Sequence, residues 1–145
     1  MKTLSVRQPW PWLILRPDLE GAAAREAARL LHAIKPVENR TWGTMYRGPL
    51  LIHAGQQCTR GDYDACVLFL LSDERTAHVA QDMPPREVLQ LGGIVGRVNL
   101  VACTRMHESP YFCGPFGWVM EDPTPLPFMR ATGRLGLYNT PGAVL

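Results

Sequence analysis

Residues 35–42, Lys-Pro-Val-Glu-Asn-Arg-Thr-Trp, place an amine, a carboxylate, a guanidinium and an indole within eight positions. Pro36 is incompatible with a helix interior and directs Lys35 toward an extended conformation. If a strand continues from Glu38 to Trp42, alternation puts its carboxylate, guanidinium and indole on one face, with Lys35 at the mouth. Such a site offers donors, an acceptor and a stacking plane, which are the groups that a nucleotide needs. The alternative is an edge strand with a surface ion pair.

Each polar group of this stretch has a distinct chemistry toward a nucleotide. Lys35 can hold a phosphate as a point charge or donate to a base carbonyl. Glu38 can accept from a base amino group or orient its basic neighbours. Arg40 can grip a phosphate or stack on a base. Trp42 is more typical of a core than of a stacking platform.

The whole-chain composition predicts one soluble globular domain. The chain has 145 residues, of which 46% are hydrophobic and 19% charged, enough for a single core. The net charge is only +2, so a surface for RNA would have to be a local patch. The four cysteines form no Cys-x-x-Cys pair, and we expect no metal site from them.

The sequence also indicates a location. The first residues contain no apolar run of signal-peptide length, and no segment approaches the ~20 apolar residues of a membrane span. Reduced cysteines and a cytoplasmic protein without membrane contact are the expectation.

Hydrophobic periodicity predicts an α+β fold whose sheet, antiparallel or mixed, curls into a small barrel of five or six strands flanked by helices. The predicted strands are 4–7, 38–42, 50–54, 94–103, 116–120 and 134–138, and the main predicted helices are 19–34 and 62–71. The first of these helices would bury a stripe of Leu19, Ala23, Ala27, Leu30, Leu31 and Ile34, leaving Arg25 mostly toward solvent. Residues 122–127 are interpreted as a rigid connection, and the tail after Pro141 as loose.

Several motifs in this order resemble the ASCH domain (activating signal cointegrator homology), a branch of the PUA-like superfamily. They are Leu-Ser-Val-Arg-Gln-Pro-Trp at 4–10, Lys-x-x-Glu-x-Arg-x-Trp at 35–42, Arg-Gly-Pro-Leu-Leu-Ile-His-Ala at 47–54, Gly-Ile-Val-Gly at 93–96, Phe-Gly-Trp-Val at 116–119 and Gly-Arg-Leu-Gly-Leu-Tyr at 133–138. The resemblance implies one such domain over residues 1–145. It also implies a cleft between barrel and helices where related domains bind RNA or modified bases.

Two features depart from the family pattern. The motif usually reads Gly-x-Lys-x-x-Glu-x-Arg, and Ala33 stands at the glycine position. Alanine adopts positive φ less readily than glycine, so the backbone entering Lys35 can differ. The predicted helix 19–34 is also longer than the usual connection, and it would either open the cleft or cover it.

Other residues are candidates for contact with a ligand. The resemblance implies that Gln8 and Trp10 lie in a loop beside the cleft. Trp10 could stack a base, worth about 1–3 kcal/mol in single-strand binders, or simply pack against a helix. Arg7 is either a cleft residue or a solvated one. Ser109 and Tyr111 lie in a polar loop from which they could reach a ligand.

Candidate catalytic groups are Lys35, Glu38 and His53. Histidine titrates near neutrality and can act as a general acid or base, although one on an aliphatic strand is more often a satisfied core residue. Some ASCH proteins hydrolyse N4-acetylcytidine with a Lys-x-x-Thr pair and a distant Glu, but Glu38 stands at the Thr position here, so the nucleophilic hydroxyl is missing. Others cleave RNA with the help of a divalent metal.

The sequence therefore predicts a domain that binds RNA or a modified nucleoside or nucleotide, with no cofactor and no obligate protein partner. One alternative is an enzyme on the same cleft, either a ribonuclease, for which Mn²⁺ would be the metal, or a modified-nucleoside hydrolase. A second alternative is a protein-interaction module that uses Trp10, Tyr111 and Phe112 as exposed aromatics.

Overall fold

A computed structural model of the chain describes residues 1–141, which form six strands, three α-helices and two 3₁₀ helices. In chain order they are β1 (Lys2–Val6), α1 (Trp10–Leu15), α2 (Ala22–Leu30), β2 (Val37–Arg40), β3 (Gly48–Ala54), α3 (Arg60–Leu71), the 3₁₀ helices Ala77–Asp82 and Arg86–Val88, β4 (Gly93–Thr104), β5 (Phe116–Arg130) and β6 (Leu137–Asn139). The tail after Pro141 that the sequence predicts to be loose lies outside the described residues.

The strands form one mixed sheet in the order β2-β5-β4-β3-β1-β6. β1 and β3 are parallel, and the other neighbouring strands are antiparallel. Irregular register interrupts the β4–β5 ladder at three places and the β3–β4 ladder at one. Such bulges bend strands and increase their twist, and the sheet curls into a half-barrel. The predicted α+β class and curled sheet are confirmed at this level.

Strand β5 continues much further than the sequence predicts. Residues 122–127, interpreted as a connection, pair with β4 as part of a fifteen-residue strand, so that interpretation is wrong. β2 covers the other edge of β5 only from Phe116 to Val119. Beyond Val119 that edge has no strand partner within residues 1–141. Proline lacks an N–H to donate, and an unpaired edge tolerates three alternating prolines.

Helix α1 packs directly on the sheet. Ile14 and Leu15 belong to the hydrophobic cluster of the sheet, whereas Leu13 belongs to a second cluster among the helices. The contact with β4 is close because Gly96 carries no side chain. A Cβ at Gly96 would lie 2.6 Å from the Leu15 methyls and 2.7 Å from the carbonyl oxygen of Thr124. Glycine at this position therefore sets the distance between α1 and the sheet.

Helix α2 is shorter than predicted and faces the opposite way. It ends at Leu30, which is 64% exposed, and the predicted apolar stripe is wrong because most of its members lie in solvent. Arg25 instead faces the protein body, donating to the carbonyl oxygens of Leu15 at 2.7 Å and Pro123 at 3.0 Å. Ala28, one turn further along, is the buried residue of the helix. These hydrogen bonds orient α2 more strongly than its weak alanine pattern does.

Helix α3 agrees with its prediction. Thr59 caps it, with its hydroxyl accepting from the Asp62 N–H and the Asp62 carboxylate accepting from the Thr59 N–H. Apolar spacing predicts that Tyr63, Cys66, Val67 and Leu70 share one face of this helix. Cys66 and Leu70 are fully buried, and the other two are partly buried. α3 has twelve residues, and no helix within residues 1–141 is long and apolar enough to cross a bilayer.

We expect Gly96→Ala to lower the free energy of unfolding by about 1–3 kcal/mol, since the new methyl group must displace Leu15 or the β5 backbone. Denaturant unfolding measures the change. Gly61→Ala is the control, because its Cβ would meet nothing nearer than the Thr59 hydroxyl at 3.7 Å within a helix that favours alanine. Wild-type stability in Gly96→Ala would contradict the close packing described for α1.

Candidate functional site

A cleft of about 520 Å³ opens where the parallel strands β1 and β3 end. Its lining residues are Ser5, Val6, Arg7, Trp10, Glu38, Arg40, Gly55, Gln56 and Gln57. Parallel strands end at the same edge of a sheet, so the segments after β1 and β3 meet there. The curl of the sheet brings β2, at one end of the strand order, across to this edge. No residue of α2 lines the cleft, so the helix does not cover it.

The central stretch brings its three charged side chains together. The Lys35 ammonium lies 2.7 Å from Glu38 Oε1, and Arg40 Nη2 lies 2.9 Å from Glu38 Oε2. Arg40 Nη2 also donates to the carbonyl oxygen of Ser5 at 2.8 Å, which ties β2 to β1. Lys35 is only 4% exposed, so its predicted place at the mouth of the site is wrong. We call these three residues the ionic triad.

Glu38 is ionised in the folded protein. Its burial opposes ionisation, but the Lys35 ammonium and the Arg40 guanidinium outweigh burial and lower its pKa below the ordinary value. Both carboxylate oxygens accept hydrogen bonds, one from Lys35 and the other from Arg40. Two cations and one anion leave the ionic triad with a single positive charge.

That positive charge is presented by Arg40. Nε is held by Glu38 and Nη2 by Ser5, whereas Nη1 has no hydrogen-bond acceptor within residues 1–141. The side chain is 22% exposed and lines the cleft. A guanidinium fixed through two nitrogens keeps its third available to a phosphate or a carbonyl without a large loss of entropy on binding.

Trp10 packs against a neighbouring aromatic side chain and also lines the cleft. Its ring meets Phe69 edge-on with centroids 5.4 Å apart, and the Lys35 ammonium lies 5.4 Å from its centroid. Trp10 and Glu38 also line a smaller hollow of about 220 Å³ with Phe69, Tyr111 and other residues. The half-buried indole is therefore a rigid wall of the cleft.

Trp42 does not belong to the cleft. β2 ends at Arg40, so the strand predicted to reach Trp42 is too long. The Trp42 ring packs edge-on against Trp118 at a centroid distance of 4.8 Å, and its carbonyl oxygen accepts from the Trp118 indole N–H. Trp42 thus packs against a buried tryptophan, but it is itself 36% exposed, so the core position that the sequence favours for it is wrong.

Arg7 and Gln8 differ in their access to the cleft. Arg7 is exposed and lies 3.3 Å from the Asp62 carboxylate, so its positive charge at the rim is partly balanced. Gln8 is buried, and its amide nitrogen donates to the Gln90 carbonyl while its amide oxygen accepts from the Trp12 N–H. Gln8 shapes the turn before α1, and each polar atom of its amide is already hydrogen-bonded within the protein.

The hydroxyls of Ser109 and Tyr111 are both hydrogen-bonded within the protein. The Ser109 hydroxyl accepts from the Tyr111 N–H, and the Tyr111 hydroxyl donates to the His32 carbonyl at 2.8 Å. Tyr111 is fully buried, and burial raises its pKa above the ordinary value. The expectation that Tyr111 forms an exposed aromatic surface with Trp10 and Phe112 is therefore wrong, since the other two are also partly buried.

His53 belongs to a chain of hydrogen bonds that engages both of its ring nitrogens. Its Nε2 is 2.7 Å from the carbonyl oxygen of Ala131 and must donate, because a carbonyl only accepts. In the neutral imidazole, Nδ1 then accepts from the Ser5 hydroxyl at 3.1 Å, and that hydroxyl accepts from Tyr138 at 2.8 Å. Gly133 covers the imidazole so closely that a Cβ there would lie 2.7 Å from His53 Cε1. Both ring nitrogens are thus occupied.

Gln56 and Gln57 are cleft residues that the sequence reasoning missed. Both are exposed, and neither side chain has a hydrogen-bond partner within residues 1–141. Their amides can donate and accept, which suits the edge of a base. Their position just after a buried strand is the sequence feature that could have indicated them. That position borders the cleft only because β1 and β3 are parallel and end at the same edge of the sheet.

The cleft does not fit a divalent cation. Glu38 is the carboxylate among its lining residues, and two cations already hold its oxygens. Across residues 1–141, no three histidine, cysteine, aspartate or glutamate side chains lie close enough together to hold a metal ion.

A scan against protein-family models and a search of curated proteins each found no match for this sequence. The resemblance of its motifs to the ASCH domain therefore stays a prediction.

We expect Glu38→Gln to destabilise the protein by about 3–5 kcal/mol, because it leaves the Lys35 ammonium buried without its counter-charge. The double variant Lys35→Met/Glu38→Gln should recover part of this loss, since it removes the buried charge as well. Glu26→Gln, which breaks an exposed pair with Arg29, is the control and should leave the unfolding midpoint unchanged. A Glu38→Gln protein as stable as wild type would show that the ionic triad is not a structural element.

The stability that Glu38 contributes should depend on pH. Its folded pKa lies below the unfolded value of about 4.3, so the contribution is complete above that pH and is lost as the pH falls through the folded pKa. We therefore expect the difference in unfolding free energy between wild type and Glu38→Gln to shrink below about pH 4. A difference that stays constant from neutral pH into strong acid would mean that Glu38 is not held ionised.

Proposed function

We propose that this chain is a PUA-like domain of the ASCH type that binds RNA, or a nucleotide with a modified base, in the cleft between β1, β2 and β3. The observation that carries the proposal is the Arg40 guanidinium. Glu38 and Ser5 fix it, and Arg40 lines a cleft of about 520 Å³.

The size and polarity of the cleft support a small charged ligand. Pockets for small molecules typically have volumes of about 300–1,000 Å³, with a few polar groups that fix orientation. Arg40 can contact a phosphate, the Trp10 ring can stack a base, and the amides of Gln56 and Gln57 can pair with a base edge. These are the contacts that recognise a single nucleotide.

Two N-terminal motifs of the resemblance line this cleft, and the third ends immediately before it. The first contributes Ser5, Arg7 and Trp10, the second contributes Glu38 and Arg40, and the third is strand β3, which leads into the cleft at Gly55. Segments that lie far apart in sequence thus converge on one site. This convergence supports a common function for the motifs.

The hydrogen-bond partners of the candidate catalytic groups favour binding over hydrolysis. A nucleophilic amine needs a lone pair, but Lys35 is buried and paired with Glu38. A general base needs an accessible acceptor, but both nitrogens of His53 are engaged. These hydrogen-bond partners support a binding surface around Lys35 and His53 rather than a reactive centre.

We expect Arg40→Ala to weaken binding of short single-stranded RNA by about tenfold, because a charge-assisted hydrogen bond to phosphate is lost. Fluorescence anisotropy with labelled RNA measures the affinity. Arg75→Ala is the matched control, since Arg75 is exposed, pairs with Asp73 and lines none of the hollows described here. Equal affinity of wild type and Arg40→Ala would contradict the proposed site.

Two readouts accompany that comparison. Unfolding midpoints separate a loss of binding from a loss of structure, since Arg40 also ties β2 to β1. Affinity for RNA should fall as salt rises, because phosphate contacts release counterions. A flat salt response together with binding of one modified nucleoside would identify the base rather than the phosphate as the recognised group.

A further inference from the structure

A second hollow of about 500 Å³ borders the cleft. It is lined by Gln56, Leu91, Gly92, Arg130, Ala131 and Thr132. Gln56 also lines the cleft, so the two hollows share a wall. Each has the volume of a whole small-ligand pocket, and side by side they offer more room than one nucleoside fills.

Backbone hydrogen bonds build the second hollow as a fixed structure. The Gly92 N–H donates to the carbonyl oxygens of Ala54 at 2.9 Å and Gly55 at 3.1 Å. The Ala131 N–H donates in turn to the Gly92 carbonyl at 3.2 Å. Gly92 has φ +75°, a conformation that favours glycine. The end of β3, the start of β4 and the end of β5 are thereby joined.

His53 has a structural purpose in this arrangement. Its Nε2–H donates to the carbonyl oxygen of Ala131, so the buried imidazole holds the segment that follows Arg130. His53 is thus a positioning residue for the second hollow.

The net charge of the side chains that line the two hollows is positive. Arg130 is exposed at the end of β5 and forms no ion pair with a carboxylate of residues 1–141. No acidic residue lines the second hollow, and the carboxylate of the cleft, Glu38, is neutralised by its partners. By contrast, a hollow of about 600 Å³ between α2 and β5 mixes basic and acidic side chains. With a net charge of only +2 for the whole chain, a positive groove is a local feature.

We propose that the cleft and the second hollow form one groove that binds a single strand of RNA at least two nucleotides long, with Arg40 contacting one phosphate and Arg130 another. This inference rests on the proposed function and narrows it, because it assigns the site to an oligonucleotide rather than to a free nucleoside. Arg130 acts only on a ligand long enough to cross the wall at Gln56.

The test compares ligands of graded length. Affinities of wild type and Arg130→Ala are measured for cytidine 5′-monophosphate and for oligocytidylates of two to six nucleotides. We expect unchanged affinity for the mononucleotide and a loss of about tenfold for the longer oligomers. For the oligomers, the negative slope of log affinity against log salt should be less steep by about 0.7 in Arg130→Ala than in wild type. Arg130→Lys, which keeps the charge, should retain most of the affinity.

Arg97→Ala is the matched control, because Arg97 is an exposed arginine of β4 that lines neither hollow and forms no ion pair within residues 1–141. Oligomer affinity that is unchanged in Arg130→Ala, or mononucleotide affinity that falls equally, overturns the groove. If binding responds to Arg40→Ala but not to Arg130→Ala, the proposed function stands and only the groove is lost. A wild-type protein that binds neither ligand overturns both.

Discussion

The carboxylate of Glu38 is the group on which the rest of the structure depends. It lies between Lys35 and Arg40, and Arg40 reaches on to the Ser5 carbonyl. β2 stands at one end of the strand order and β1 next to the other end, so this contact crosses the open side of the half-barrel. Burying the charges of Lys35 and Glu38 costs solvation free energy that only a complete set of partners offsets. The ionic triad and its contact with Ser5 therefore depend on the curvature of the sheet that brings β2 next to β1.

The same constraint decides what the site can do. A motif that combines an amine, an acid and a guanidinium resembles catalytic machinery when only its residue types are considered. In the fold, Lys35 donates a hydrogen bond to one oxygen of Glu38, and the other oxygen of Glu38 accepts from Arg40 and holds it in place. A preorganised cation with one accessible edge is suited to recognition, since little entropy is lost when an anion binds. The buried part of the motif is structural, and its exposed part is the candidate binding group.

Sequence patterns predicted elements where local periodicity is strong and failed where tertiary contacts decide. The buried Cys66 and Leu70 of α3 and the long strand β4 follow from apolar spacing and were predicted correctly. The face of α2 could not be predicted, because alanines give a weak pattern and Arg25 orients the helix through carbonyl oxygens of distant segments. The predicted strand for β5 ended at Met120, ahead of the first of three prolines, since a proline indicates a break until the topology shows that it lies at an unpaired edge.

The candidate site was predictable in its centre but not at its borders. The charged residues of the ionic triad lie within six positions, so strand alternation and short range were sufficient to bring them together. Gln56, Gln57 and Arg130 look like ordinary loop and strand-end residues, and only the parallel pairing of β1 with β3 and the Gly92 hydrogen bonds place them around one opening. His53 shows the same limit, because its burial follows from its strand but its partner Ser5 comes from the neighbouring one. Recognition surfaces that form where several strand ends meet are long-range features, and a sequence read locally shows only their separate parts.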